Sequence, residues 1–362
     1  MKTFSIFYLV LLIFPVAGIT QGGKKKLTHQ QSRPKNIILL IGDGMGTAQI
    51  FAGLTANKGW LNLEQCSFVG FHKNQSADNY ITDSGAGATA FSTGKKAKNG
   101  AIGVDALDKP FPTILELAAK HHLATGLVVS CSITHATPAA FIAHQPSRTM
   151  TEAIANDFLK TPIDVFIGGG KKYFNQRKDG KNLCDSLLKK GYAVTNTLSE
   201  VVKINSGKLA GFIDTAEPPR VTAGRGDQLL KSLQTALKIL QKNKKGFFLM
   251  LEGSQIDWGG HANDSAYVID EMIDFDKAMG EAIAFAKKDK NTLIIITADH
   301  ETGGLALTGG DMKKGLVQMK FITKEHTAVM IPVFTYGPMA STFSGIYENT
   351  DLFKKMKNAF NF

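Results

Sequence analysis

Only three cysteines occur in the 362 residues, Cys66, Cys131 and Cys184, and they lie far apart. So few excludes a disulfide framework even in an exported protein, and leaves at least one thiol unpaired within a monomer. Cys131, inside "LVVSCSI", reads as a small buried apolar residue. Long apolar runs are also scarce. The run from Phe4 to Val16 is shorter than the roughly 20 residues a spanning helix needs, and no second candidate follows, so stable membrane insertion is not expected. No cysteine lies near the start of the mature chain to accept a lipid. Internal repeats are absent, and no low-complexity segment follows residues 21–35. Acidic residues are outnumbered, 31 against 42 Lys and Arg. The lysines come as scattered pairs such as Lys95–Lys96 and Lys189–Lys190, the pattern of solvated faces; with no recognition motif beside them, a specific nucleic-acid partner is not expected. The net charge of +11 still favours encounter with anionic substrates.

What is present begins with a leader. Residues 1–20 carry one early lysine, an apolar stretch and small residues at Ala17 and Gly18, which reads as a secretory signal peptide and implies a periplasmic or extracellular protein. A polar lead-in over 21–35 follows. From "NIILLIGDG" onward, continuous apolar runs recur in "ATGLVVSCS", "IDVFIGGG", "GFFLMLEGS", "NTLIIITADH" and "AVMIPVFTYGP", the signature of strands buried on both faces. Helical periodicity falls between them, over 112–122, 148–159, 226–241 and 263–288. The alternation implies an α/β fold, a doubly wound and mostly parallel sheet flanked by helices, as a single domain over 36–362. Residues 196–226 lack clear periodicity and read as a surface insertion.

Chemistry-bearing residues sit where strands end. Asp43 follows "ILLIG", Glu252 follows "FFLML", and Asp299 and His300 follow "LIIITA". In open α/β sheets the carboxyl ends of strands are where sites assemble, although an Asp there also serves as a turn former. "EGSQIDWGGH" adds Asp257 and His261, four apart, which a helical turn or a compact glycine loop brings together. Mixed His and carboxylate sets suit zinc; all-oxygen sets suit magnesium. In "THATPAAFIAHQPSR", Arg148 has the planar fork that grips phosphate oxygens but also reads as a surface arginine. His144 reads as a hydrogen-bonded structural histidine, while His135 is open between a wall of the site and a support behind it. His29, His72, His121 and His122 have no ligand-like context. In "DSGAGATAFSTG", Ser84 opens a helix among small residues, either as its N-cap or as a hydroxyl facing an anion. The 36 glycines, several beside these motifs, either loosen the site or permit close approach.

Taken in order, "DGMG", "TDSGAGATAFSTG", "THATPAAFIAHQPSR", "EGSQIDWGGH", "TADHETGG" and "EHTAVMIPVFTYGP" resemble the motifs of alkaline phosphatases, from about residue 35 to the C-terminus. The likeness is closest to the compact cold-active bacterial members. The resemblance implies Ser84 as the phosphate-accepting nucleophile and Arg148 as the phosphoryl-binding arginine, with Asp83 orienting it. It implies two Zn2+ and one Mg2+ per chain: Asp257, His261 and His326 for one zinc, Asp43, Asp299 and His300 for the other, and Asp43, Thr137 and Glu252 for magnesium. A homodimer acting on small phosphomonoesters, with broad range and an alkaline optimum, completes the expectation. Three positions depart from some relatives: His135 where others have an acid, Trp258 where others have lysine, and Glu325 where glycine is usual. The short stretch between His300 and His326 lacks room for the large interfacial insertion of longer members.

Two alternatives remain at this level. A related phosphodiesterase, sulfatase or phosphonate hydrolase is one, opposed by the Thr137 and Glu252 pair and by the lack of a Cys/Ser-x-Pro-x-Arg pattern. The other, of a different class, is an exported phosphate-binding protein without turnover.

Overall fold

In the chain's computed structural model, residues 32–362 are described. The leader expected at 1–20 and the lead-in up to residue 31 lie outside them. Fourteen strands are found among the described residues: β1 Asn36–Gly42, β2 Phe68–Lys73, β3 Ala124–Ser132, β4 Val165–Gly169, β5 Tyr192–Thr195, β6 Lys208–Phe212, β7 Phe247–Gly253, β8 Thr292–Thr297, β9 Glu301–Thr302, β10 Ala306–Asp311, β11 Leu316–Lys320, β12 His326–Thr327, β13 Ile331–Tyr336 and β14 Gly345–Glu348. Ten form one sheet in the order β14-β2-β13-β8-β1-β7-β3-β4-β6-β5. Every pairing in it is parallel except those of β13, which runs antiparallel to both β8 and β2. The doubly wound, mostly parallel architecture read from the sequence is the one observed.

β1 shows why its sequence is a near-continuous apolar run. All seven residues are buried: Ile37, Leu39 and Ile41 join one core cluster, and Ile38 and Leu40 the other, on opposite faces of the pleat. The first face is covered in part by α2 (Ser84–Thr93), through Phe91, and α3 (Ile114–Lys120), through Ile114 and Leu115, whereas α1 (Thr47–Ala56) lies with the other layer. α4 (Ala136–Ala139) and α5 (Thr151–Asp157) follow β3. Three helices, α6 (Lys172–Asn175), α7 (Leu183–Lys189) and α8 (Leu198–Val201), lie between β4 and β6. The second face packs on α9 (Gln228–Leu240) and α11 (Ser265–Asp289) through Leu229, Leu233, Met272 and Phe275; short α10 (Gln255–Ala262) precedes α11, and α12 (Thr350–Phe360) returns Leu352 and Met356 to the first face. The four helices expected from periodicity are present, three within the expected bounds and the fourth, α11, starting two residues later and ending one residue later.

One expectation is corrected. Within the stretch read as a surface insertion, β6 is hydrogen-bonded between β4 and β5, and its Leu209, Ala210 and Phe212 are buried. Phe212 belongs to a closed group with Phe158, Phe166, Phe174 and Tyr192, with ring centroids 4.8 Å apart for Phe174 and Phe212 and 5.9 Å for Phe166 and Tyr192. Such offset and edge contacts add to the burial of large apolar area.

Candidate active site

The site assembles past the carboxyl ends of β1, β7 and β8, the central strands. β1 delivers Asp43, β7 carries Glu252 near its end, and the chain leaves β8 into Asp299 and His300; all four are fully buried. β9 then pairs with β12 so that His326 lies opposite Thr302, which seats the His326 ring on the His300 ring at 3.5 Å between centroids. α10 presents Asp257 and His261 one turn apart, so the helical alternative holds and the stretch is not a solvated helix start.

Backbone approach is close throughout. At Gly44, with φ +72°, a Cβ would come 2.7 Å from Asp257 Cα, and at Gly87 it would stand 3.0 Å from Asp299 Cβ. Of the two readings of the site glycines, close approach is the one these positions support.

The ring nitrogens and carboxylate oxygens converge in two groups. His261 Nδ1 donates to the Lys324 carbonyl and His326 Nδ1 to that of Thr82 at 3.0 Å, which leaves their two Nε2 atoms facing each other at 3.2 Å. Asp257 lies beside both, at 3.3 Å from His261 Nε2 and 3.5 Å from His326 Nε2. The contact with Asp257 pushes the His261 pKa up to about 9, while burial opposes the low value that these histidines impose on Asp257. In the second group, His300 Nε2 is 3.4 Å from Asp43 Oδ1 and 3.3 Å from Asp299 Oδ2, yet both oxygens lack a hydrogen bond. Burial holds His300 neutral, well below the usual histidine range. Burial, then repulsion from Asp299, Asp257 and Glu252, raises Asp43 well above the carboxylate range; burial with Asp257 lifts Asp299 to about 6, and burial lifts Glu252 to about 7. Four carboxyl groups crowded in a low-dielectric interior require positive charge to remain ionised. The side chains that fit metal ions are therefore Asp257, His261 and His326; Asp43, Asp299 and His300; and a third group of Cys131, His135 and Glu252.

Ser84 is the first residue of α2 and 2% exposed, its Oγ 3.2 Å from His300 Nε2 and 3.4 Å from Asp43 Oδ2. It does not cap the helix. That role belongs to Asp83, whose Oδ1 accepts from the backbone N–H of Ala86 and of Gly100, both at 2.9 Å. Asp83 Oδ2 accepts from Arg148 Nη1 at 2.9 Å, so one carboxylate fixes both the helix end and the guanidinium. Burial and then Arg148 act in opposite senses on Asp83, with the net result a lowered pKa. Arg148 Nη2 donates to His135 Nε2 at 3.3 Å, and Trp258 meets the same imidazole edge-on at 6.1 Å. His135 is thus a support for Arg148 as well as a wall. Thr137 Oγ1 and Glu252 Oε1 are buried without a well-formed hydrogen bond, although the Thr137 hydroxyl is near enough to oppose the rise in the Glu252 pKa. His144 is the structural histidine expected, bonded to the Gly103 carbonyl at 2.7 Å and to Glu116 at 3.1 Å.

Sequence reasoning passed over two residues that follow the ligands in "TADHETGG". Thr302 donates to Asp257 and contacts His300 Nδ1 at 3.3 Å, linking the two groups. Glu301 accepts from Gln49 at 2.7 Å, from the Leu305 N–H at 2.9 Å and from Thr327, which ties α1 and the β9 loop to the strand carrying His326. Their position directly after an Asp-His pair is the signal that points to them. His72, assigned no role, lies fully buried with Nε2 3.0 Å from the Ala298 carbonyl, behind Asp299.

Comparison with known proteins gives a consistent result. The family model described as alkaline phosphatase matches residues 34–322. The chain is 41% identical to alkaline phosphatase 4 of Bacillus subtilis over 357 residues, covering 92% of this chain and 77% of that protein. It superposes on the alkaline phosphatase of the Antarctic bacterium TAB5 with a TM-score of 0.87 and 41% identity, over 92% of this chain and 99% of that one. A His-to-Asp mutant of the TAB5 enzyme, solved with Mg bound in its M3 site, gives a TM-score of 0.86 at the same identity and coverage.

Proposed function

The chain belongs to the alkaline phosphatase family of metal-dependent phosphate monoester hydrolases, and from that premise we propose that Ser84 is its nucleophile and that catalysis passes through a phosphoserine. The observation that carries this assignment is the Ser84 hydroxyl at the N-terminus of α2, within 3.4 Å of both Asp43 and His300 and on the same helix end that Asp83 ties to Arg148.

Asp257, His261 and His326 would hold one zinc, and Asp43, Asp299 and His300 a second. Asp43, Thr137 and Glu252 are the oxygen donors for a third ion, magnesium where oxygens alone face it. Bound metal supplies Lewis acidity that lowers the serine hydroxyl pKa and stabilises the leaving oxygen. Ser84 Oγ attacks phosphorus as the alcohol oxygen leaves, Arg148 donates two N–H groups to the non-bridging oxygens, and Asp83 holds Arg148 in place. Water then attacks phosphorus from the opposite side, phosphate departs and the Ser84 hydroxyl is restored. The free N–H groups at the start of α2 favour the anion at every stage.

The same reading includes a broad range of small phosphomonoesters, an alkaline optimum, one catalytic domain over 36–362, export directed by residues 1–20, and a homodimer. No helix among the described residues is long and apolar enough to cross a membrane. Release of p-nitrophenol from its phosphate, bis-phosphate and sulfate esters, with and without zinc and magnesium, tests the assignment in wild type and Ser84→Ala. Metal-dependent turnover of the monoester above the other two, lost in Ser84→Ala, is expected. Phosphate binding without turnover would overturn it.

A further inference from the structure

Cys131 is a buried thiol that the mechanism above does not use. It stands near the end of β3, and its Sγ donates to Glu252 Oε2 at 3.3 Å. One ligand atom from each of Cys131, His135 and Glu252 lies within 4.8 Å of the other two, whereas Cys66 and Cys184 enter no such group among the described residues. Around this point Glu252 Oε1, Thr137 Oγ1 and His135 Nδ1 are all buried and lack a hydrogen-bonding partner. Glu252 and Thr137 are fully inaccessible, so solvent does not satisfy them. Buried polar atoms without a well-formed hydrogen bond cost stability unless something satisfies them.

The donors decide what that is. Magnesium demands a near-octahedral shell of oxygens, and here an imidazole and a thiol take two of the directions. A zinc-class ion accepts sulfur, nitrogen and oxygen together at four-coordinate geometry. Resting on the reading of a third ion near Glu252, we propose that in this chain Cys131 is a ligand at that position and that Cys131, His135 and Glu252 select a zinc-class ion over magnesium. Cys131 would bind as the thiolate, its proton, now within reach of Glu252 and of the Ser132 carbonyl, being released to solvent. The imidazole changes partner too. Arg148 is a donor only, so His135 Nε2 accepts from it and the proton sits on Nδ1. Were His135 to bind through Nδ1, that proton would have to reside on Nε2 and the bond from Arg148 would be lost, with Arg148 still tied to Asp83.

Metal analysis and spectroscopy of the full-length protein test this. After loading from equimolar zinc and magnesium, wild type is expected to retain a third equivalent of zinc per chain, and Cys131→Ser, which keeps the side-chain size, to lose that equivalent alone. Two zinc and one magnesium in wild type, or unchanged zinc in Cys131→Ser, would overturn the proposal. In the cobalt-substituted protein a thiolate-to-metal charge-transfer band in the near ultraviolet is expected, present also in Cys66→Ser and Cys184→Ser but absent from Cys131→Ser. Its absence from wild type, or its persistence in Cys131→Ser, overturns the proposal without reference to activity. Failure of the band with Ser84-dependent monoester turnover intact rejects the thiolate ligand only; loss of that turnover rejects the functional reading itself.

Discussion

Strands β1, β7 and β8 and strands β4 and β6 belong to the same mostly parallel sheet and run in the same direction, but they carry different residues at their carboxyl ends. The first three release Asp43, Glu252, Asp299 and His300 into a shared interior where one oxygen of each carboxylate lies buried without a hydrogen bond and His300 Nε2 stands 3.3 to 3.4 Å from two of them. β4 and β6 end instead in Gly169 and Phe212, and Phe212 closes into an aromatic group with Phe166, Phe174 and Phe158. The backbone topology offers a crevice at strand ends in both places. Residue type alone decides that one half stores unpaired charge for ions and phosphate while the other spends its ends on packing.

The largest effect expected from breaking this contrast is chelation, which should abolish turnover and leave the crowded carboxylates repelling one another. Hydrogen exchange measured before and after metal removal should show lost protection in the segments around Asp43, Asp257 and His300, with β4 and β6 nearly unchanged; uniform loss across both halves would erase the distinction. Next comes Ser84→Ala, expected to lower kcat by about a thousandfold or more while metal content and the unfolding midpoint stay near wild type. A wild-type rate in that variant, with contaminating phosphatase excluded, would remove the nucleophile from Ser84.

From the other side, Phe174→Ala should cost about 3 to 5 kcal/mol of stability, because it opens a cavity in the distal aromatic group. Its kcat under conditions where the protein remains folded should match wild type. A changed metal content would show that the two halves are coupled more tightly than their separate ends suggest.

Acid should act first on the site half. Burial lowers the pKa of His72, behind Asp299, to about 4, and β4, β5 and β6 contain no histidine. Above the ordinary value of 6.5 both folded and unfolded chains hold this ring neutral. As pH falls from 6.5 toward 4 the unfolded chain gains a proton the folded chain refuses, so stability declines across that window and levels off below it. The shift corresponds to roughly 3 kcal/mol at most. His72→Gln, which still donates to Ala298 but has no charge to acquire, should flatten the decline by that order; an unchanged profile from denaturant titrations at each pH would refute the assignment. The smallest effect in the series is Arg148→Ala, expected to raise the inhibition constant of inorganic phosphate by about 10- to 100-fold with little change in metal content.

The contrast also marks how far the sequence was readable. Continuous apolar runs announced β1, β3, β4, β7, β8 and β13 because burial on both faces leaves no alternation to confuse them. β5 and β6 escaped notice: "YAVT" and "KLAGF" are too short for periodicity, and their place in the sheet comes from pairing, β6 with β4 and β5 with β6. At the site, the acids at strand ends and the Asp299-His300 pair were legible because chemistry restricts which residue types serve there. The helix cap was not, since adjacent Asp83 and Ser84 are both good caps and only backbone dihedrals choose between them. Cys131 was read correctly as buried, but burial in a strand does not reveal that its thiol faces Glu252 on the neighbouring β7.

Gly44 and Gly87 bind nothing and bear no charge, yet each abuts a residue of the metal groups, Asp257 and Asp299 respectively. A library that samples every substitution at every position and selects for phosphatase activity would deplete variants at these two glycines almost as completely as at the acids they touch. A reader of that depletion map alone would count them among the reacting groups. The distinction would emerge only from the dose: a methyl group at either position already displaces the neighbour, so alanine and tryptophan should be rejected alike, while at a true ligand position the survivors sort by the chemistry of the atom they offer.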